Sequence, residues 1–359
     1  MTSPPSPESA DATRRRRSST SFVGLVGVEL RRLWWRRLTK LVLVGVVAFI
    51  AVSTYAAFQQ TSPSALAQRT ADYTTMVKEM KQQEADVSDA DRAAQRESCR
   101  KEQAKARESD PAVDFRCDQQ FAVPTPAEFG IVAANRDGIT ADMVQSGFPV
   151  LGFLALLLGA SFVAAEFVSG SMGNWLTFQP RRLRVGASKL IAATLGGLVV
   201  GALGVGLAAL AAALVTTVNM PPPDLPVGPP VEIPGGSLGL LLVRVVVIAA
   251  AAGLGGAVLG LLVRSTAGVI GVALGWLLVV EAFVGAALAE GRLQPWLLRT
   301  NIEGFIGAGS TYYATTCEAN GCQMTGLPHS YTASWVFLLV LAVAGVTAAL
   351  ASFRSRDVT

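Results

Sequence analysis

Apolar residues dominate six stretches of the chain long enough to cross a bilayer: 38–58, with its apolar run from Leu41 to Phe58, then 148–165, 190–218, 238–263, 267–288 and 334–353. About 20 apolar residues wound as a helix cover the roughly 30 Å of a hydrocarbon core, so each stretch is read as a spanning helix. The chain is therefore an expected all-α integral membrane protein with six transmembrane helices, 2–6 of them within 146–355. Upstream, over 22–37, the pattern changes. Phe22, Leu25, Val26, Leu30, Leu33 and Trp34 recur at i, i+3, i+4 spacing while Arg31, Arg32 and Arg36 take other faces. This predicts an amphipathic helix in the interface, with Trp34 and Trp35 at headgroup depth; an inward extension of the first span is the alternative.

The polar segments differ in kind. Residues 1–21 combine prolines, serines and the run Arg14 to Arg17, and are expected to be a disordered basic tail. In 59–145, Ser64 to Glu108 is rich in helix formers, with Tyr73, Met76, Met80 and Val87 as a thin apolar stripe, and Pro124 and Pro126 mark a return loop. A mainly helical segment outside the membrane is expected there. Met220 to Pro234 holds seven prolines and reads as a stiff extended loop, and Pro295 to Ile306 as a short interfacial helix.

Composition agrees with the pattern: 51% of residues are apolar, 16% charged, and the mean hydropathy is +0.43, values that exclude a single soluble domain as the main architecture. The net charge of +4 does not point to nucleic acid, because the basic residues flank apolar spans. With the N-terminus in the cytoplasm, 16 of the 30 Lys and Arg residues fall on that side, and the short outer loops keep Arg292 and Arg299. The long segment 59–145 carries 11 basic and 15 acidic residues. The positive-inside rule thus places both termini in the cytoplasm and 59–145 outside. The long stretch before the first apolar run exceeds a signal-peptide n-region, so the first span is expected to be retained.

This topology puts Cys99, Cys117, Cys317 and Cys322 on one, oxidising side. The simplest pairing is Cys99 with Cys117 and Cys317 with Cys322, although four cysteines allow three connectivities. Zinc is disfavoured, since C-x4-C with His329 nearby lacks a fourth ligand, and no metal site is expected. No GxxxxGK[ST], HExxH or GxSxG string occurs, so neither nucleotide binding nor a familiar catalytic set is expected in this chain. His329 reads as a satisfied or solvated loop residue. The GxxxG pairs Gly197/Gly201, Gly256/Gly260 and Gly271/Gly275 permit close helix contact but recur by chance in Ala/Gly-rich spans.

The most informative stretch is the turn 166–189 between spans two and three, in the string AAEFVSGSMGNWLTFQPRRLRVGASKL from Ala164 to Leu190. It opens with a carboxylate at the inner end of a span and closes with a basic run. Glu166, Phe167, Gly170, Ser171, Leu176, Thr177, Pro180, Arg182 and Lys189 follow an order that resembles the permease subunit of ABC (ATP-binding-cassette) transporters of the type-2 exporter class. Ser171 stands where that class usually has Thr, and the Pro-to-Lys interval is about one residue short, which leaves Arg181 and Arg184 as alternatives to Arg182. The likeness extends over most of 22–355 but not over Gln59 to Gln145.

The resemblance implies that the turn docks on a separate ATPase subunit, which carries the ATP and Mg, while this chain binds no cofactor and catalyses nothing. It also implies a dimer with a second permease copy or a homologous permease, at the plasma membrane, exporting a hydrophobic or amphiphilic compound such as a drug, peptide or lipid-like molecule. The residues are compatible: Trp175, Leu176 and Phe178 are apolar anchors, and Arg181, Arg182 and Arg184 offer charge-assisted contacts. An ordinary positive-inside loop is the plain alternative. Within the spans, Arg244 and Glu281 lie at similar depth on sequential helices, and an ion pair between them is the working hypothesis, with separate solvation as the alternative. Competing functions are a membrane sensor or assembly protein working through 59–145, and a proton-coupled secondary transporter using Glu281.

Overall fold

The computed structural model describes residues 21–109, 114–118, 122–178, 181–220, 233, 235–284, 291–318 and 321–356. Six helices are long and apolar enough to span a membrane: Arg37–Thr61, Arg136–Val168, Arg182–Val218, Leu238–Val263, Thr266–Phe283 and Tyr331–Ser355. Each of the six apolar stretches is helical over its described residues, and the helices of spans two and three run well beyond their apolar runs into flanking polar sequence. In chain order the elements are α1 (Phe22–Trp35), α2 (Arg37–Thr61), α3 (Pro63–Asp86), α4 (Asp89–Ser109), α5 (Arg136–Val168), α6 (Ser171–Phe178), α7 (Arg182–Val218), α8 (Leu238–Val263) and α9 (Thr266–Gly275), then α10 (Leu298–Ile306), β1 (Gly309–Glu318), β2 (Gly321–Ser330) and α11 (Tyr331–Ser355). The predicted tail 1–21 and the proline-rich 220–234 fall almost wholly outside the described residues. Ser21 is described, and its hydroxyl caps α1 by accepting from the Gly24 amide at 3.1 Å.

The chain forms two compact units: 1–52, 140–210 and 232–359 in one, and 53–139 with 211–231 in the other. The first is built on α5, α7 and α8. Half of the apolar window of α5 and of α8 is buried, against 6% for the span that begins with α9 and 11% for α11. The outer helices thus keep an apolar surface such as lipid covers. The inner three approach one another backbone to backbone. A Cβ on Gly159 would strike the carbonyl of Gly253, one on Gly256 that of Leu156, and one on Gly197 that of Ala249. Where water gives no apolar drive between helices, such approach maximises dispersion contact. Two of the three GxxxG pairs, Gly197/Gly201 and Gly256/Gly260, lie in these contacts, whereas Gly271 and Gly275 meet nothing within 4 Å.

The second unit holds the helical pair α3 and α4. The Cys99–Cys117 disulfide is present, tying the middle of α4 to the loop that follows the helix. There Gln103 accepts the Phe115 amide at 3.1 Å. Tyr73 packs against Phe129, ring centroids 5.6 Å apart, and donates to the Pro124 carbonyl at 3.0 Å. That residue of the apolar stripe is therefore used within the chain, at the return loop that Pro124 and Pro126 signal.

The amphipathic helix ends at Trp35, and Arg36 is extended, so the helix is separate from the first span, as its pattern predicts. Two departures from the sequence expectation concern the first unit. The fifth span is α-helical only to Gly275, continues as a π-helix over Trp276–Val284, and 285–290 lie outside the described residues. Between α10 and α11 the chain is not helical: β1 and β2 pair antiparallel from Gly309↔Ser330 to Glu318↔Gly321. Thr311, Tyr312, Tyr313, Thr315 and Thr316 are strand formers. Cys322 is disulfide-bonded and its partner in register is Cys317.

These close contacts predict an asymmetry between glycines. Gly256→Ala should lower stability by about 1–3 kcal/mol through overpacking against a carbonyl that cannot give way. Gly271→Ala, in open space, should be neutral. Thermal unfolding of both variants in mild detergent reads the difference.

Candidate functional site

The buried face of α1 is Leu25, Glu29 and Leu33, one residue per helical turn. Glu29 is the sole acidic residue between Asp11 and Asp72, and it is fully buried. A carboxylate withdrawn from water needs a cation. Glu29 finds Lys189, equally buried, whose Nζ lies 3.0 Å from Glu29 Oε2 and 2.6 Å from Glu166 Oε2. Lys189 belongs to α7 and Glu166 to the end of α5, so one ammonium joins three helices.

Two guanidinium groups complete the cluster from the other side. Arg36 places Nη2 3.0 Å from Glu166 Oε1 and donates through Nη1 to the Ser161 carbonyl at 3.0 Å. Arg32 lies 3.6 Å from Glu166 and 3.7 Å from Glu29. The Phe162 ring sits 5.0 Å from both the Arg36 guanidinium and the Lys189 ammonium. Three cations face two carboxylates. The buried Glu29, Glu166 and Lys189 together leave one negative charge uncompensated, and Arg32 and Arg36, partly exposed at 34% and 25%, offset it from the side nearer solvent.

The short helix α6 is attached to this cluster at both ends and along its flank. Gly170 adopts φ +68°, a left-handed conformation that a glycine takes without strain, and this lets the chain leave α5 and enter α6 at once. Met172 is fully buried, and Trp175 turns inward, with the Arg32 guanidinium 5.0 Å from its ring. Beyond α6, Arg182 donates to the carbonyls of Arg356 at 2.9 Å and Arg354 at 3.4 Å, and Phe167 meets Phe353 edge-on at 6.2 Å. The end of α11 is thereby held at the same end of the unit.

The turn residues thus separate into two groups. Glu166, Lys189, Phe167, Trp175 and Arg182 serve internal contacts, and for Glu166 and Lys189 burial removes any direct role in touching another protein. Gly170, Asn174, Thr177, Arg181 and Arg184 are exposed, and Ser171 is half-buried. The side chains of Leu176 and Phe178 lie outside the described residues, as does Pro180. Sequence reasoning missed Glu29, Arg32 and Arg36 as parts of the site. The available signal was an acid standing on the apolar stripe of α1, where amphipathic patterning admits none.

Arg244 and Glu281 do not pair. Glu281 accepts from the backbone amides of Leu298 at 2.9 Å and Arg299 at 3.2 Å, and from the Trp276 indole at 2.9 Å. Arg244 donates to the Ile306 carbonyl at 3.3 Å, with its guanidinium 5.2 Å from the Tyr331 ring. The two charges lie at opposite ends of α10, the anion at its N-terminus and the cation at its C-terminus, as the helix dipole favours. Leu297, the N-cap residue, makes no side-chain cap, and Glu281 supplies it from the π-helical segment. On the same helix Asn301 meets His329 Nε2 at 3.1 Å. Burial pushes the His329 imidazole below its ordinary pKa, which keeps it neutral and structural. Among the described residues no group of His, Cys, Asp and Glu could hold a metal ion.

Neither protein-family models nor curated proteins match the chain.

Breaking a buried, shared ion pair leaves uncompensated charge and costs about 3–5 kcal/mol. Lys189→Met is expected to lose that much stability in detergent thermal or denaturant unfolding. Arg184→Gln, at an exposed position one and a half turns earlier on α7, should change it by no more than about 0.5 kcal/mol.

Proposed function

We propose that this chain is the permease subunit of an ATP-driven ABC transporter of the type-2 exporter class. The observation that carries the reading is the attachment of α6. A short helix with an exposed polar side is linked by one tight turn to α5, by the Arg32 and Trp175 stack to α1, and through the ion cluster to α7. A push or rotation applied to α6 is therefore delivered to three elements at once, two of them inner helices of the membrane unit. Contiguous packed side chains and ion pairs with discrete arrangements are the physical means by which such displacement travels.

In this reading α6 docks on a separate ATPase subunit that binds ATP and Mg. The exposed Asn174 and Thr177 meet that partner, and Arg181 and Arg184 contribute charge. Two permease copies, or this chain and a homologous permease, complete the transporter. The end of the unit that carries α1, α6 and the end of α11 faces the cytoplasm, the membrane is the plasma membrane, and 59–145 lies outside, as the distribution of Lys and Arg favours. The transported compound is hydrophobic or amphiphilic. Two backbone amides and an indole N–H engage the Glu281 carboxylate at the start of α10, which favours a structural role for it over a proton-carrying one.

Purification of the chain from its native membranes in mild detergent tests the proposal. A co-purifying P-loop protein in near-equal amount, with ATP hydrolysis in the product, is expected. Asn174→Arg combined with Thr177→Arg, both at exposed positions, should reduce its recovery about tenfold, the loss of one strong interfacial anchor, while the permease itself remains folded. A chain that purifies alone and without ATPase activity after gentle crosslinking would overturn the reading.

A further inference from the structure

The side of α1 opposite the ion cluster carries a different chemistry. Glu29 is buried with Lys189, so the exposed side of α1 and of the start of α2 carries no acidic group. It displays Arg31, Arg37 and Lys40 as exposed cations, with Trp34 57% and Trp35 69% exposed and Leu38 beside them. The Lys40 ammonium stands 5.7 Å from the Trp35 ring. Among the described residues the carboxylates of this end, Glu29 and Glu166, are engaged by Arg32, Arg36 and Lys189, and none pairs with the outer three. The result is a surface of two indoles flanked by three cations, next to the first residues of a spanning helix.

We infer that this surface is a docking site for anionic phospholipid headgroups, with Arg31, Arg37 and Lys40 on the phosphates and Trp34 and Trp35 inserted at the level of the glycerol backbone. Several observations select this occupant. Indole rings favour the interface because one edge is polar and the rest apolar. A cation at an anionic leaflet is worth about a fivefold preference for it over a neutral one, and three act together here. The site adjoins α2, which fixes its depth at the boundary of the hydrocarbon. A soluble acidic protein would be served by the cations but not by two exposed indoles at that depth.

The inference goes beyond the proposed transport role and does not depend on it. Its consequence is that α1 is held from both sides: by the lipid headgroups on its outer side and by Glu29 on its inner side. Lipid charge then bears on the position of the ion cluster and of α6.

Quenching by brominated lipid tests this on the full chain in lipid nanodiscs. Discs of phosphatidylcholine and phosphatidylglycerol in equal mole fraction are prepared with bromine on the acyl chains of one lipid or the other. The contribution of Trp34 and Trp35 is taken as the difference from a Trp34→Phe, Trp35→Phe variant. Brominated phosphatidylglycerol is expected to quench that component at least about twofold more than brominated phosphatidylcholine. The triple variant Arg31→Gln, Arg37→Gln, Lys40→Gln, whose positions are exposed and whose unfolding midpoint should match the parent, is expected to remove the difference. Equal quenching by both lipids in the parent protein would overturn the inference. So would a preference that survives the triple substitution, or one that millimolar inorganic phosphate abolishes, since the last would mark a site for a free anion.

Discussion

Lys189 shares its ammonium between two carboxylates that come from different helices, and the arrangement of this end of the membrane unit depends on that sharing. Desolvating three charges costs several kcal/mol for each, so the cluster is tolerated only with its members all in place. What such a cluster provides is definition. An apolar contact between α1 and α7 could slide by a turn at little cost, whereas Glu29 has one place where it meets its cation. The same requirement fixes the break at Arg36. That residue leaves the helix as its guanidinium engages Glu166 and the Ser161 carbonyl, and the Thr39 hydroxyl ties the two sides of the break by donating to the Leu33 carbonyl at 2.6 Å. The amphipathic helix, the end of the second span, the start of the third and the short helix between them thus share one electrostatic centre.

Elsewhere in the unit the packing is of a different kind. Glycine and alanine let α5, α7 and α8 approach until backbone meets backbone, which gives many small dispersion contacts and little directional preference. At the opposite end, α10 is held by charges matched to its dipole, Glu281 before it and Arg244 after it. A pair of intramembrane charges is costly unless compensated, and here each is compensated by helix-terminal backbone groups that themselves lacked partners. The segment that brings Glu281 to that position is the π-helix, whose wider turn alters the direction of side chains relative to an α-helix.

Much of this was legible in the amino-acid order, because hydrophobic length is a strong signal. The six spans, the amphipathic helix, the return loop at Pro124 and Pro126 and the Cys99–Cys117 pair follow from patterning and local spacing. The ion cluster was half legible. Glu166 and Lys189 stand out by their positions at span ends, but their partners lie 130 or more residues away in α1 and at the break that follows it, and periodicity within a segment carries no information on pairing between segments. Arg244 and Glu281 each need a partner, and in the sequence the simplest partner for each is the other. The helix that separates them was expected over 295–306, yet its backbone termini do not register as charges in a residue count. The β-hairpin escaped because twenty residues with one Asn-Gly and several threonines are a faint signal beside six membrane spans, and the change from α- to π-helix has no marker in composition.

The buried ions and the Arg32–Trp175 stack join α1 to α6, so the two helices are expected to move as one body. Val28 on α1 and Thr177 on α6 are both exposed, and the chain has no free cysteine among the described residues, so spin labels on Val28→Cys and Thr177→Cys report the separation of the two helices by pulsed electron resonance. A single narrow distance distribution is expected in the parent chain, broadening markedly when Lys189→Met is added, with the six spans still folded. An unchanged distribution in the Lys189→Met background would contradict it, since the two helices would then be held together without the cluster.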